Sequence, residues 1–319
     1  MTETPLHEIT TSRILPARLE RALNSALSRG PGYEPTPVGR AFAAEAVNGY
    51  YIDFQAKTAS RIAGDPANLL PAPLAQLALG WWERHLTGDP VAPDRFIEVC
   101  GLLEKRGESV AAELRWPARV PVPKYGLVAP WCSALTQGQA ASAFVRAHLL
   151  TGEDRYAELA LRAIQPLLGD RPSDLVVQTR SGPIFEEAPG EPASHILNGW
   201  ITALWGVRDV HLGLGHKPAG EVFAAGVGCL RAHLPAYDTG WWSRYSLYAH
   251  PLEDLAKPIY HRYHVDQLTV LHRLTGVPEF IDTARRWAEY DRPVRRALAL
   301  AQKGMFALAD APRRRRFGS

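Results

Sequence analysis

The chain is poor in cysteine: it has three in 319 residues, and Cys100, Cys132 and Cys229 stand far apart with no paired spacing. That excludes a disulfide framework and leaves no thiolate set for a structural zinc site. No apolar run is long enough to span a bilayer, and the opening MTETPLHEIT has no apolar signal core. A cytoplasmic protein without a membrane span is therefore expected. Charge of one sign is also scarce. The net charge is +3, and the one dense basic run, Arg313 to Arg316, sits at the extreme C-terminus. A solvated tail is the reading of that run, and no nucleic-acid partner is expected. There is no phosphate-binding glycine fingerprint, no strand-turn-helix serine elbow and no HExxH spacing. His261 and His264 stand three apart with no further ligand in view, so neither metal nor cofactor is expected.

What is present is apolar and helical. Residues AVILMFWYC make up 46% of the chain, enough for one large core or two modest ones. A helical run over Leu74–Leu86 ends in Leu-Thr-Gly-Asp at 86–89 and is followed by another over Arg95–Leu103. The phrase returns as Leu150-Thr151-Gly152-Glu153, between Gln139–Leu150 and Tyr156–Leu168. It returns again as Leu274-Thr275-Gly276-Val277, between Tyr263–Leu274 and Phe280–Tyr290. A variant copy runs from His195 to Leu214, stops at Gly213 and Gly215, and continues over Glu221–Leu234. Each glycine suits a left-handed helix stop, so these are αα-hairpins at a spacing of roughly sixty residues, as in a ring of helix pairs. Period-two alternation is confined to Asp174–Gln178 with Gly182–Glu187, and to Gly240–Tyr248. The expected class is all-α, an (α/α) toroid or incomplete barrel of helical hairpins with small β-hairpins in the loops. The expected division is a helical extension over 1–48, the toroid over 49–300 and a basic tail over 301–319.

The densest chemistry lies at Lys257–Leu268, KPIYHRYHVDQL, where a helix begins. Tyr260 and His264 share a face, with Gln267 a turn on and Val265, Leu268 and Leu271 forming an apolar stripe beside them. Any one of these histidines alone reads as a buried, hydrogen-bonded core residue; the cluster points to a site.

Ordered motifs sharpen this. Trp131-Cys132-Ser133-Ala134-Leu135-Thr136-Gln137-Gly138-Gln139 with Val145-Arg146-Ala147 resembles the W-Y-S-x-x-x-Q-G-Q…V-R-A-Y segment of the D-glucuronyl C5-epimerase family. Phe185-Glu186-Glu187-Ala188-Pro189 resembles its Y-E-E-Y-P, and Leu197-Asn198-Gly199-Trp200 its L-N-G-F. Leu234-Pro235-Ala236-Tyr237-Asp238-Thr239-Gly240 resembles its L-P-x-Y-D-T-G, and Tyr260-His261-Arg262-Tyr263-His264-Val265-Asp266-Gln267-Leu268 its Y-H-x-x-H-I-x-Q-L. With Tyr50–Phe54 and Leu74–Gly80 the similarity runs from about Tyr50 to Arg292.

The resemblance implies an α/α-toroid catalytic domain that epimerises glucuronate to iduronate in a glycan, with Glu187, Tyr245 and Tyr260 as proton-transfer groups. Removing the proton alpha to a carboxylate requires that carboxylate to be neutralised as charge develops, and a second group must return a proton to the opposite face. The substrate-lining residues expected around these groups are Tyr125, Gln137, Gln139, Arg180, Glu186, Asn198, Arg244, His261, Arg262 and His264. The chain departs from the family at Ala188, where the family has Tyr, and at Tyr248 and Ala249, where it has Arg and His. The lost Arg removes a donor fork for carboxylates, and Arg180, Arg244 and Arg262 are the candidate replacements. A uronic-acid polysaccharide or oligosaccharide is the expected partner, and a homodimer is possible. The alternatives are a lyase or hydrolase on a uronic glycan, or a non-catalytic glycan-binding protein.

Overall fold

Four glycines with left-handed backbone divide the chain into helical hairpins. Gly88, Gly152, Gly215 and Gly276 have φ of 84°, 73°, 66° and 70°, angles that cost glycine little. A computed structural model describes Pro66 and residues 69–86, 88–169 and 173–312. The extension expected over 1–48, the Tyr50–Phe54 segment and Arg313–Arg316 lie outside the described residues.

The hairpins are α1 (Pro71–Leu86) with α2 (Ala92–Arg106), α3 (Ala134–Thr151) with α4 (Asp154–Ile164), α5 (Leu197–Leu214) with α6 (Lys217–His233), and α7 (Pro258–Thr275) with α8 (Pro278–Tyr290). A further helix, α9 (Pro293–Ala309), follows; it runs on through residue 300, where the sequence suggested that a tail begins. Helices α1, α3, α5 and α7 pack on one another in that order, and α2, α4, α6 and α8 each pack on the helix before them. The protein is thus all-α, an incomplete barrel of helical hairpins with small β-hairpins in its loops.

A shared device closes three inner helices. Beyond the glycine, a histidine one turn back donates its Nδ1–H to the carbonyl of the residue after that glycine: His148 to Glu153 at 3.0 Å, His211 to His216 at 3.2 Å and His272 to Val277 at 3.0 Å. Each inner helix is tied in this way to the residue that precedes its outer partner.

The outer helices bury one stripe each, as Phe280, Ile281, Ala284 and Trp287 do on α8. The central pair is buried all round, from Ala134 to Ala147 on α3 and from Leu197 to Val210 on α5. Their backbones touch: a Cβ on Gly206 would lie 2.2 Å from the Gly138 carbonyl oxygen. An ion pair in this wall, Arg146 to Asp209 at 2.6 Å, shares its carboxylate oxygen with Ser142 Oγ, and a charge taken out of water requires such partners.

Among the described residues two small antiparallel hairpins lie between these helices. β3 (Val176–Thr179) and β4 (Gly182–Phe185) form where alternation was read. β1 (Glu108–Val110) and β2 (Glu113–Arg115) form without such a signal. Gly240–Tyr248 is not a hairpin. Its residues bridge to three separate partners, Asp238 with Ser243, Arg244 with Leu255 and Ile196 with Ser246. That spreads the segment across the loops at one end of the inner helices.

Candidate active site

Two adjacent carboxylates leave β4 with different surroundings. Glu186 is locked. Its backbone N–H donates to Leu175 at 2.8 Å, and its carbonyl accepts from the Ala134 N–H at 2.9 Å. Its buried carboxylate accepts from the Ser194 N–H at 3.0 Å, Ser194 Oγ at 2.7 Å, the His195 N–H at 3.1 Å and the His195 ring. His195 holds φ of 46°, and Tyr237 Oη donates to its carbonyl at 2.7 Å. The chain is thereby fixed on both sides of Glu187 and at the entrance to α5.

Glu187 turns instead toward the first residues of α5. Its Oε2 accepts from Asn198 Nδ2 at 3.2 Å. A Cβ on Gly199 would lie 2.2 Å from the same oxygen, so only glycine at 199 leaves room for the carboxylate. Asn198 is tied to α7 in turn, its carbonyl accepting from Gln267 Nε2 at 3.0 Å and Thr202 Oγ1 at 2.7 Å. Burial raises the Glu187 carboxyl from 4.5 to about 7, against the opposing pull of Lys124 and the Asn198 hydrogen bond.

Tyrosines surround it. Tyr245 is held by its backbone, donating to Asp254 at 2.6 Å and accepting from the Leu197 N–H at 3.1 Å. Its ring meets Tyr260, from the first turn of α7, edge to face at 5.0 Å. Tyr125, on the short helical turn Pro123–Tyr125, packs edge to face on Tyr248 at 5.3 Å. Burial raises the phenols of Tyr125, Tyr245 and Tyr260, and the Glu187 charge adds to this at each. They stand as protonated acids beside a carboxyl that titrates near neutrality, the pairing that proton exchange at carbon needs. Tyr263 comes from the same helix, its Oη 3.5 Å from Thr202 Oγ1.

Cations enter from two directions that the sequence did not indicate. Lys124 and Lys303, the latter on α9, both pair with the buried carboxylate of Asp254, Lys124 at 2.5 Å. Their ammonium groups lie 5.2 and 5.0 Å from the centre of the Tyr245 ring. Burial favours the neutral form of Asp254, but the two ammonium groups outweigh it and hold the carboxyl below its ordinary range.

The other residues singled out in the sequence go elsewhere. His261 is a core residue: it stacks on Trp242 at 3.8 Å and 12°, accepts from the Ser243 N–H at 3.3 Å and donates Nε2–H to the Trp287 carbonyl at 2.9 Å. His264 is equally buried, 3.1 Å from Ser243 Oγ. Burial lowers the pKa of both rings, so both are neutral at pH 7. Gln137 Nε2 donates to the carbonyls of Leu114 and Ala163, binding α3 to β2 and α4, and Gln139 is buried in the same helix. Arg180 is exposed at the β3–β4 turn. Arg244 pairs with Glu253, and Arg262, largely exposed, lies 3.6 Å from Asp291. Helix periodicity gives the angle between side chains but not which face meets the core, and Trp242 and Trp287, which enclose His261, come from distant segments. The lysines escaped notice because a lone lysine carries no pattern.

Comparison with known proteins agrees with these motifs. The family described as D-glucuronyl C5-epimerase C-terminus matches residues 112–289. An uncharacterized protein of Methanocaldococcus jannaschii is 27% identical over 179 residues, covering 54% of this chain and 57% of that protein. A D-glucuronyl C5-epimerase of Caenorhabditis elegans is 31% identical over 193 residues, covering 54% of this chain and 31% of that protein. The chain thus spans little more than half of the first relative and about a third of the second.

Proposed function

The chain belongs to the D-glucuronyl C5-epimerase C-terminus family, and from that premise we propose that it inverts carbon five of a uronic acid, converting D-glucuronate to L-iduronate residues in a glycan. The observation that carries this reading is Glu187, a carboxyl raised by desolvation to about 7, beside the half-buried Tyr245 and Tyr260. In its ionised form Glu187 takes the carbon-five proton, while Asn198 Nδ2 fixes its orientation. The electron pair left behind spreads into the substrate carboxylate. Tyr260 then gives its phenolic proton to the opposite face of carbon five, with Tyr245 against its ring in support.

The charges make these two steps cooperate. The negative charge of Glu187 helps to keep the Tyr260 phenol protonated. Once Glu187 has accepted a proton that repulsion vanishes, and Tyr260 becomes a better acid at the moment it must donate. The cycle closes when the proton on Glu187 is returned, directly or through water, to the Tyr260 phenolate.

A heparosan-type or chondroitin-type glucuronan incubated with the protein tests this by NMR. New iduronate signals are expected. An unsaturated uronate absorbing in the ultraviolet would reveal a lyase, and new reducing ends a hydrolase. Either product, or an unchanged polymer at every uronic glycan tried, would overturn the reading.

A further inference from the structure

Deprotonation alpha to a carboxylate places a second negative charge on that group, so the site needs a cation facing the sugar acid. Of the arginines that the sequence offered, Arg244 pairs with Glu253, Arg262 is largely exposed 3.6 Å from Asp291, and Arg180 is exposed at a turn. Lys124 and Lys303 are not surface lysines. Their side chains are 15% and 19% exposed, and the Asp254 side chain between them is fully buried. The two ammonium groups meet on one carboxylate beside the Tyr125, Tyr245 and Phe306 rings, with Lys124 4.7 to 5.2 Å from their centres. Lys124 also acts on Glu187. Glu186 is taken up by Ser194 and His195, and His264, on which the Lys303 charge acts, is neutral.

We propose that Lys124 and Lys303 form the anion-docking half of the site, clamping the carboxylate of the uronic acid while Asp254 positions both. Each ammonium presents three donors, so the substrate carboxylate shares them with Asp254. Helix α9 is then part of the binding site through Lys303 and Phe306, and Asp254 is a positioning residue that competes weakly with the ligand.

This deepens the epimerase reading and rests on it, so the test separates the two. Calorimetric titration at pH 7 compares a glucuronate-terminated disaccharide with its uronate methyl ester, which has the same shape without the charge. Wild type is expected to bind the acid about tenfold or more tightly than the ester, as charge-assisted hydrogen bonds to a carboxylate allow. Lys303→Gln is expected to lose most of that preference while binding the ester as before, and Lys303→Arg to restore it. Asp254→Asn removes the internal competitor and is expected to strengthen acid binding alone, a change of opposite sign that a merely structural role does not produce. A wild type indifferent to the charge, a Lys303→Gln variant with the wild-type ratio, or an Asp254→Asn variant that weakens both ligands alike would each overturn the proposal. If the acid preference and its loss in Lys303→Gln appear but wild type exchanges no carbon-five hydrogen, the anion site stands and the epimerase reading falls.

Discussion

Replacing Glu187 by Gln should make the protein more stable at alkaline pH and inactive at every pH. The carboxyl titrates at about 7 in the folded protein against an ordinary value of 4.5. A carboxyl raised by folding holds its proton more tightly in the native state, so at pH 4 wild type incurs no cost. As pH rises from about 4.5 to about 7 the unfolded chain ionises this group first, native stability falls, and above pH 7 the penalty is complete. At roughly 1.4 kcal/mol per pH unit the difference amounts to about 3 kcal/mol. Glutamine keeps the shape and an acceptor for Asn198 Nδ2 but never ionises. Denaturant unfolding of both proteins at pH 4.5 and pH 8 measures the contrast. Glu187→Gln should gain about 2 to 3 kcal/mol on wild type between the two conditions, while carbon-five exchange falls by at least about a hundredfold. A variant whose stability relative to wild type does not change with pH would refute the claim that folding desolvates this carboxyl, and with it the reason for choosing it as the base.

Other substitutions separate architecture from chemistry. Tyr260→Phe keeps the ring against Tyr245, so unfolding should move by less than about 1 kcal/mol while the rate of carbon-five exchange drops about a hundredfold or more. His261→Ala removes the stack on Trp242 and the hydrogen bonds to Ser243 and Trp287. It should cost about 3 kcal/mol in denaturant unfolding with little change in KM for whatever fraction stays folded; a large rise in KM at unchanged stability would return His261 to the substrate. Gly206→Ala drives a methyl into the Gly138 carbonyl 2.2 Å away, and thermal unfolding should show a loss of about 3 kcal/mol or more.

The hairpin repeat was legible because its punctuation is local. The Leu-Thr-Gly phrases at 150–152 and 274–276 carry both the left-handed glycine and the side chains that seal the helix end, so the hairpins follow from a few residues each. α9 escaped because it follows the last such phrase and ends beside a basic run that reads as a tail. Within the site, Glu187 and Asn198 were each singled out through a separate motif, and the structure brings them together and shows why Gly199 has no side chain. Gln137, Glu186, His261 and His264 belong to the same motifs yet serve to hold the frame: Glu186 clamps the loop that aims Glu187, and His261 fills the space between two tryptophans. A motif records that a residue matters to the arrangement and does not say whether it touches a ligand. The two lysines illustrate the converse. Lys124 and Lys303 are 179 positions apart in the chain and meet only because the loop before α3 and helix α9 converge on Asp254.

The measurement that bears most directly on the account is deuterium wash-in at carbon five of a glucuronan in deuterated water, followed by NMR for wild type, Glu187→Gln and Tyr260→Phe. Wild type should place deuterium at carbon five and build iduronate, and both variants should be depressed in both signals. Exchange that survives intact in Glu187→Gln, or a wild type that leaves carbon five fully protiated, would contradict the assignment of Glu187 as the group that takes the proton.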